Sequence, residues 1–248
     1  MLLLLIAACA PDPIDTADAS PDVDTDDDSG DTDAAELPDV EVVTLTTADD
    51  VELVGDYYGN ADGAEAMLLL NMIPPTYDRS TWPLAFIDDL RADGYAVLAL
   101  DRRGAGESGG DAPDAYTGPK GAKDANAGVA LLTERGAESV VLIGASNGTT
   151  TCLDYAVKGD GPAPRAMIWM SPGAYTENNT ALTNLELDSL LLAYPKSEAA
   201  WSEAVQSEVD GEGRWDYLEY NGVRHGTELF EGNDDVSGDL RDWLGKAQ

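Results

Sequence analysis

Two hydrophobic periods take turns along most of this chain. Residues 40–46 and 51–58 alternate apolar and polar positions, the pattern of half-buried strands, with Ala48-Asp49-Asp50 as the turn between them. They predict an antiparallel edge hairpin. Residues 66–70 and 95–100 are continuous apolar runs, as expected of strands covered on both faces of a parallel sheet. Between them, residues 82–92 space their apolar side chains as a helix does. The exchange then repeats: helix over 120–135, strand over 139–143, helix over 147–158, strand over 166–170. A strand over 190–193, a helix over 198–208, a strand over 214–220 and a closing helix over 236–246 complete the pattern. Strands and helices in this order predict one α/β domain over residues 39–248, with a mostly parallel, doubly wound sheet and no internal repeat. In such sheets ligands sit beyond the carboxyl ends of the strands, so the residues just after each strand are where chemistry is sought.

The first 38 residues do not share this pattern. Met1 to Ala10 reads MLLLLIAACA, an apolar run too short to span a bilayer but long enough for the core of an export signal. Ile6-Ala7-Ala8-Cys9 resembles the bacterial lipobox, which implies lipidation at Cys9 and a signal segment over residues 1–9. No Lys or Arg precedes the run, a departure from that pattern. Ala10 lacks the aspartate that favours inner-membrane retention in such signals, so the resemblance implies an outer-membrane or periplasm-facing location. Residues 10–38 hold Asp, Ala, Thr, Ser and Pro with no aromatic and no basic residue, the composition of an extended, disordered acidic linker.

Charge narrows the partners. The formal net charge is -34, and Arg79 is the first basic residue in the chain. Twelve acidic residues fall from Ala10 through Asp39, so the folded part is acidic in its own right. A field of that sign repels nucleic acids and anionic membrane surfaces, and leaves the lipid anchor as the expected membrane contact. With only Cys9 and Cys152 in the chain, no disulfide framework is available. The acidic run 22–36 does not fit a calcium loop, because the frame that puts Gly30 sixth puts Thr25 first. No metal and no cofactor are expected.

The candidate chemistry centres on 140–152, VVLIGASNGTTTC. An aliphatic strand stops at Gly144-Ala145-Ser146-Asn147-Gly148, and small, helix-compatible residues follow. A GxSxG turn between strand and helix holds its serine in a strained conformation above the sheet edge, and glycines at 144 and 148 avoid collisions there. The hydroxyl of Ser146 would then lie at a helix N-terminus, which favours developing negative charge. A serine nucleophile needs a base, and the chain contains one histidine, His225, just after the last expected strand.

A serine elbow followed in the chain by a post-strand histidine is the order of the α/β-hydrolases. Other stretches agree: Asp101-Arg102-Arg103-Gly104-Ala105-Gly106-Glu107-Ser108 resembles that family's DxRGxGxS loop, and Asn71-Met72-Ile73-Pro74 occupies the place of its HG loop. Trp169-Met170-Ser171-Pro172-Gly173 resembles the corresponding segment of bacterial dienelactone-hydrolase-like and carboxylesterase members. The resemblance implies Ser146 as nucleophile, His225 as general base, and the backbone amides of Asn147 and Ile73 as oxyanion donors. Loss of one such donor typically costs about 3 kcal/mol in the barrier. Asn71 and Met72 replace the family's histidine and glycine. The first change matters little for a backbone donor, whereas the second narrows the acyl site.

The orienting acid is expected after the strand ending near Ala193-Tyr194, where Glu198 is the nearest carboxylate. Asp188 and Asp210 are the fallbacks. Asp101 and Arg103 read as a structural pair holding their loop; Gly104-Ala105-Gly106 lacks the third glycine of a dinucleotide loop. About fifteen residues separate Met170 from the next strand, too few for a large lid. These readings lead to a serine hydrolase without a large lid, monomeric only by default, acting on carboxylic esters of small or medium acyl groups. The competing reading is a non-catalytic, lipid-anchored surface or binding protein on a hydrolase scaffold.

Overall fold

The computed structural model describes residues 40–59, 64–174, 182–183, 185–211, 213–232 and 235–247. Cys9, the expected signal segment and the acidic linker lie outside them. Eight strands form one sheet: β1 (Glu41–Thr46), β2 (Glu52–Tyr58), β3 (Glu65–Leu70), β4 (Ala96–Leu100), β5 (Ser139–Ala145), β6 (Ala166–Met170), β7 (Leu190–Pro195) and β8 (Asp216–Tyr220). Their spatial order is β1-β2-β4-β3-β5-β6-β7-β8. The β1–β2 hairpin is antiparallel and joins β4 antiparallel, and every pairing from β4 to β8 is parallel. This is the α/β-hydrolase sheet expected from the sequence.

Residues on alternate positions of the central strands feed two cores. Leu68, Leu70, Leu98, Leu100, Leu142, Trp169 and Leu192 face one side, where they meet Val129 and Leu132 of α2 (Lys120–Glu134) and Leu153 of α3 (Gly148–Lys158). Met67, Leu69, Val97, Ile143, Ile168 and Leu191 face the other side. There they pack on Phe86, Ile87 and Leu90 of α1 (Leu84–Ala92), and on Leu240 and Leu244 of the closing helix (Val236–Lys246). Complete burial of β4, β6 and β7, and of β3 from Ala66 onward, explains why these strands read as unbroken apolar runs. A Leu→Ala change in either layer would cost about 2–5 kcal/mol.

The chain leaves β3 toward β4 on one side and returns to β5 on the other. The order of connection therefore reverses at β3, and in sheets of this kind ligands bind beyond the carboxyl ends of the strands at such a point. The loop 71–73 and the turn at Ser146 follow β3 and β5 directly and so stand side by side there. The segment 171–189 between β6 and β7 is longer than the sequence suggests, and its residues 175–181 and 184, on which the expectation of no large lid partly rests, lie outside the described ones.

Asp101 and Arg103 are not the pair expected. Asp101 accepts from the backbone amide of Arg79 at 2.6 Å and from that of Glu107 at 3.0 Å, and is ion-paired with the Arg79 guanidinium. Arg103 instead donates from Nε to Asp124 at 2.8 Å and forks onto Asp49 at 3.0 and 3.1 Å. Distant segments thus supply each counter-charge, which local sequence spacing could not reveal.

Burial alone would lower the Arg103 pKa, but hydrogen bonds to Asp49 and Asp124 outweigh it and hold it above its ordinary value. The same contact from Arg103 holds the Asp49 carboxyl well below the usual carboxylate range. A depressed acid contributes stability that is present above its unfolded pKa, about 4, and is lost as pH falls toward the lower folded value. Asp49→Asn is therefore expected to cost about 1–3 kcal/mol at neutral pH and to flatten the acid limb of a stability-against-pH curve below pH 4. Denaturant titrations across that range check it; superimposable curves for the two proteins would contradict it.

Candidate active site

β5 runs straight into a turn whose central residue, Ser146, has φ +50°, the left-handed conformation that only a tightly held non-glycine residue adopts. The turn is fastened on both sides. The Ser146 amide donates to the Met170 carbonyl at 2.7 Å, and the Ser146 carbonyl accepts from the Thr149 amide at 3.0 Å and from its hydroxyl at 2.7 Å. A Cβ at Gly148 would stand 2.4 Å from the Leu70 carbonyl oxygen, and one at Gly144 2.7 Å from the Cys152 sulfur. Both elbow glycines are therefore required by the close approach of α3 to β3 and β5.

His225 lies five residues beyond β8, in a loop that turns through Gly226 at φ +58°. The Gly226 amide donates to Ser171 Oγ at 2.8 Å, which ties this loop to the end of β6. A Cβ on Gly226 would come within 2.4 Å of the Met72 sulfur and 3.6 Å of the Ser146 Cβ. The loop can pass this close to the elbow only without a side chain there. Glu198 ends a 3₁₀ turn, Lys196–Glu198, that follows β7 directly and precedes α4 (Ala199–Glu208). The expected helix thus starts one residue later, and the turn swings Glu198 toward the histidine. The Ser197 amide reaches the Gly222 carbonyl at 3.4 Å and links the two loops.

These three loops bring Ser146, His225 and Glu198 together. His225 Nε2 lies 2.6 Å from Ser146 Oγ, and Nδ1 lies 2.8 and 2.9 Å from the two Glu198 carboxylate oxygens. A carboxylate can only accept, so Nδ1 carries the proton and Nε2 is left to accept from the serine hydroxyl. The imidazole and carboxylate side chains are about one-third exposed, whereas Ser146 is buried at 6%. Neither fallback acid competes. Asp210 is buried and accepts from the Arg214 and Trp215 amides and the Tyr217 hydroxyl. Asp188 lines a cavity of about 530 Å³ with Asp216 and Trp243, at the opposite ends of β7 and β8.

Asn147 follows Ser146 as the first residue before α3 and is buried, whereas Ile73, in the loop after β3, is exposed. One side chain joins their neighbourhoods. Arg102, fully buried, donates to the Met72 carbonyl at 2.7 Å, to Asn147 Oδ1 at 3.1 Å and to Thr151 Oγ1 at 3.0 Å. Burial lowers its pKa to about 10, so it stays charged at neutral pH. Asn71, also fully buried, donates to the Met72 and Tyr77 carbonyls at 2.9 and 2.7 Å and accepts from the Arg102 amide at 3.0 Å. Met72 does not narrow an open acyl site: it is 2% exposed and packs beneath Gly226 and Thr227. Among the described residues no cluster of three or more His, Cys, Asp or Glu could hold a metal ion.

The family model for serine aminopeptidase, S33 matches residues 76–217, more than half of the chain and including Ser146 and Glu198. The chain belongs to the serine aminopeptidase S33 family. Solved structures place this S33 member among α/β-hydrolase folds. An esterase of Pyrococcus furiosus is 17% identical with a TM-score of 0.69, over 84% of this chain and 91% of its own. A Xanthomonas campestris α/β serine hydrolase described as lacking a lid is 16% identical with a TM-score of 0.66, over 84% and 94%. A putative aryl esterase of Burkholderia cenocepacia is 18% identical with a TM-score of 0.64, over 84% and 99%. No curated protein matches the sequence.

Within this S33 member, sequence reasoning overlooked Arg102 and understated Asn71. The only available signal was position: Arg102 occupies the variable place of the DxRG stretch, and nothing local marks an arginine for complete burial. Asn71 was legible as a departure from the family's histidine, but not as the clamp that fixes the Met72 carbonyl.

Proposed function

We propose that this serine hydrolase cleaves carboxylic esters of small or medium acyl groups through an acyl-enzyme on Ser146. The single observation that carries the reading is the unbroken contact from Ser146 Oγ through His225 to Glu198, at 2.6 and 2.8 Å. In the first step Nε2 of His225 takes the hydroxyl proton as Oγ attacks the ester carbonyl carbon, and Glu198 supports the imidazolium that forms. The carbonyl oxygen gains negative charge and is met by the amides of Asn147 and Ile73, beside the N-terminus of α3. His225 then passes its proton to the departing alkoxide, leaving the acyl group on Oγ. Water attacks in the second half with the same base, returning Ser146 and releasing the acid.

Access to the site supports this substrate class. The imidazole and carboxylate, each about one-third exposed, leave the rim of the site open to a compact ester, and esterases stand among the proteins with similar folds. A fluorophosphonate probe tests the reading: wild-type protein should be modified covalently at Ser146, and His225→Ala should react far more slowly. A correctly folded wild-type protein that takes up no probe would favour a binding role on the hydrolase scaffold instead.

The N-terminal segment supports a location as well. Cys9, following Ile6-Ala7-Ala8, would be lipidated and the acidic linker would hold the hydrolase away from the membrane. Palmitate incorporated by wild type and lost in Cys9→Ser is the expected result, and labelling that survives the substitution would exclude it.

A further inference from the structure

Arg102 is the one guanidinium in the site that the hydrolytic steps do not use, and its surroundings are costly. It is fully buried, no carboxylate of the described residues lies within ion-pairing distance, and its Nε has no hydrogen-bond partner. A buried charge without a counter-ion lowers stability, so the fold gains something else from it. Its contacts show what that is. One amino group, at 2.7 Å, meets the carbonyl of Met72, which belongs to the same peptide unit as the amide of Ile73. The same amino group reaches Asn147 Oδ1 at 3.1 Å, and the other reaches the Asn147 carbonyl at 3.4 Å. Thr151 Oγ1, at 3.0 Å, and the Ala115 carbonyl, at 3.4 Å, hold the far side of the fork. Asn71 Nδ2 donates to the Met72 carbonyl as well, so this oxygen takes two donors.

We infer that Arg102 is a positioning residue for the oxyanion: its planar fork spans the loop after β3 and the start of α3, and fixes the separation and direction of the Ile73 and Asn147 amides. This rests on the ester-hydrolase reading given above. Two donors on the Met72 carbonyl also polarise that peptide, which strengthens the opposite N–H as a donor. The fork carries the role. A lysine at 102 would keep the charge but could not hold both segments in one plane.

The test compares hydrolysis of an activated ester with that of its thionoester, in which sulfur replaces the carbonyl oxygen. The ratio of the two rates reports how well the amides fit an oxyanion, and it is independent of how much of a preparation is folded. For Arg102→Met and Arg102→Lys, kcat on the ester should fall about 10–100-fold with KM little changed, and the ester preference should shrink by a comparable factor. A preference equal to that of wild type in the variants, or full rescue by lysine, would overturn the assignment while leaving the ester-hydrolase reading intact. Wild-type protein that hydrolyses neither compound would overturn that reading and this one with it. Should neither variant fold, Thr151→Val removes one anchor of the fork. A several-fold loss of kcat and of ester preference is then expected, and unchanged values would count against Arg102.

Discussion

Ser146→Ala and His225→Ala are each expected to lower kcat on a small activated ester by about 10⁵–10⁶-fold, and the double variant to be no slower than either alone. The reason is geometric. The hydroxyl and Nε2 stand 2.6 Å apart, and in the proposed mechanism they handle one proton, so removing either partner would remove the same step. What remains would be the contribution of the donor amides and of binding. Neither change should disturb the fold greatly, because the elbow is held by the backbone bonds from Ser146 to Met170 and from Thr149 to Ser146, which alanine keeps. Steady-state kinetics with thermal unfolding of each variant checks both points. Additive losses in the double variant would mean that the two side chains serve separate steps.

Glu198→Gln is the second large effect, about 10³–10⁴-fold in kcat. Glutamine keeps the length and can still accept from Nδ1, but it lacks the charge that favours the imidazolium in the transition state. Glu198→Asp keeps the charge and shortens the reach from contacts of 2.8 and 2.9 Å, so an intermediate loss is expected. Because the carboxylate is about one-third exposed, both variants should unfold near the wild-type temperature. Wild-type turnover in Glu198→Gln would remove Glu198 from the mechanism.

Those two predictions differ in how much of their basis lay in the sequence. The elbow was legible because its strain leaves a mark: small residues at 144 and 148, set between an aliphatic strand and a helix, are what a turn with φ +50° at Ser146 needs. His225 was legible because no other histidine exists in the chain. Glu198 could only be the nearest carboxylate, since its placement depends on a 3₁₀ turn of three residues that no periodicity announces. Ion pairs were the least legible. Arg103 finds Asp49 54 positions away and Asp101 finds Arg79 at 22, partners brought close by the sheet order rather than by spacing. Arg102 and Asn71 are buried where the loops after β4 and β3 meet, a neighbourhood that exists only once the strands are in place.

Ser171 supplies no reacting atom, yet it carries the loop that presents His225. It stands in a left-handed conformation immediately after β6, and its hydroxyl accepts from the Gly226 amide at 2.8 Å while its own amide donates to Ala193 at 2.7 Å. The outlet of β6 is thereby divided at one residue. Sequence grafted downstream of Ser171, such as a cap that reshapes substrate choice, leaves the imidazole anchored, whereas an insertion upstream of it uncouples the histidine from the serine turn. Engineering of substrate range in this scaffold has its natural starting point at Pro172.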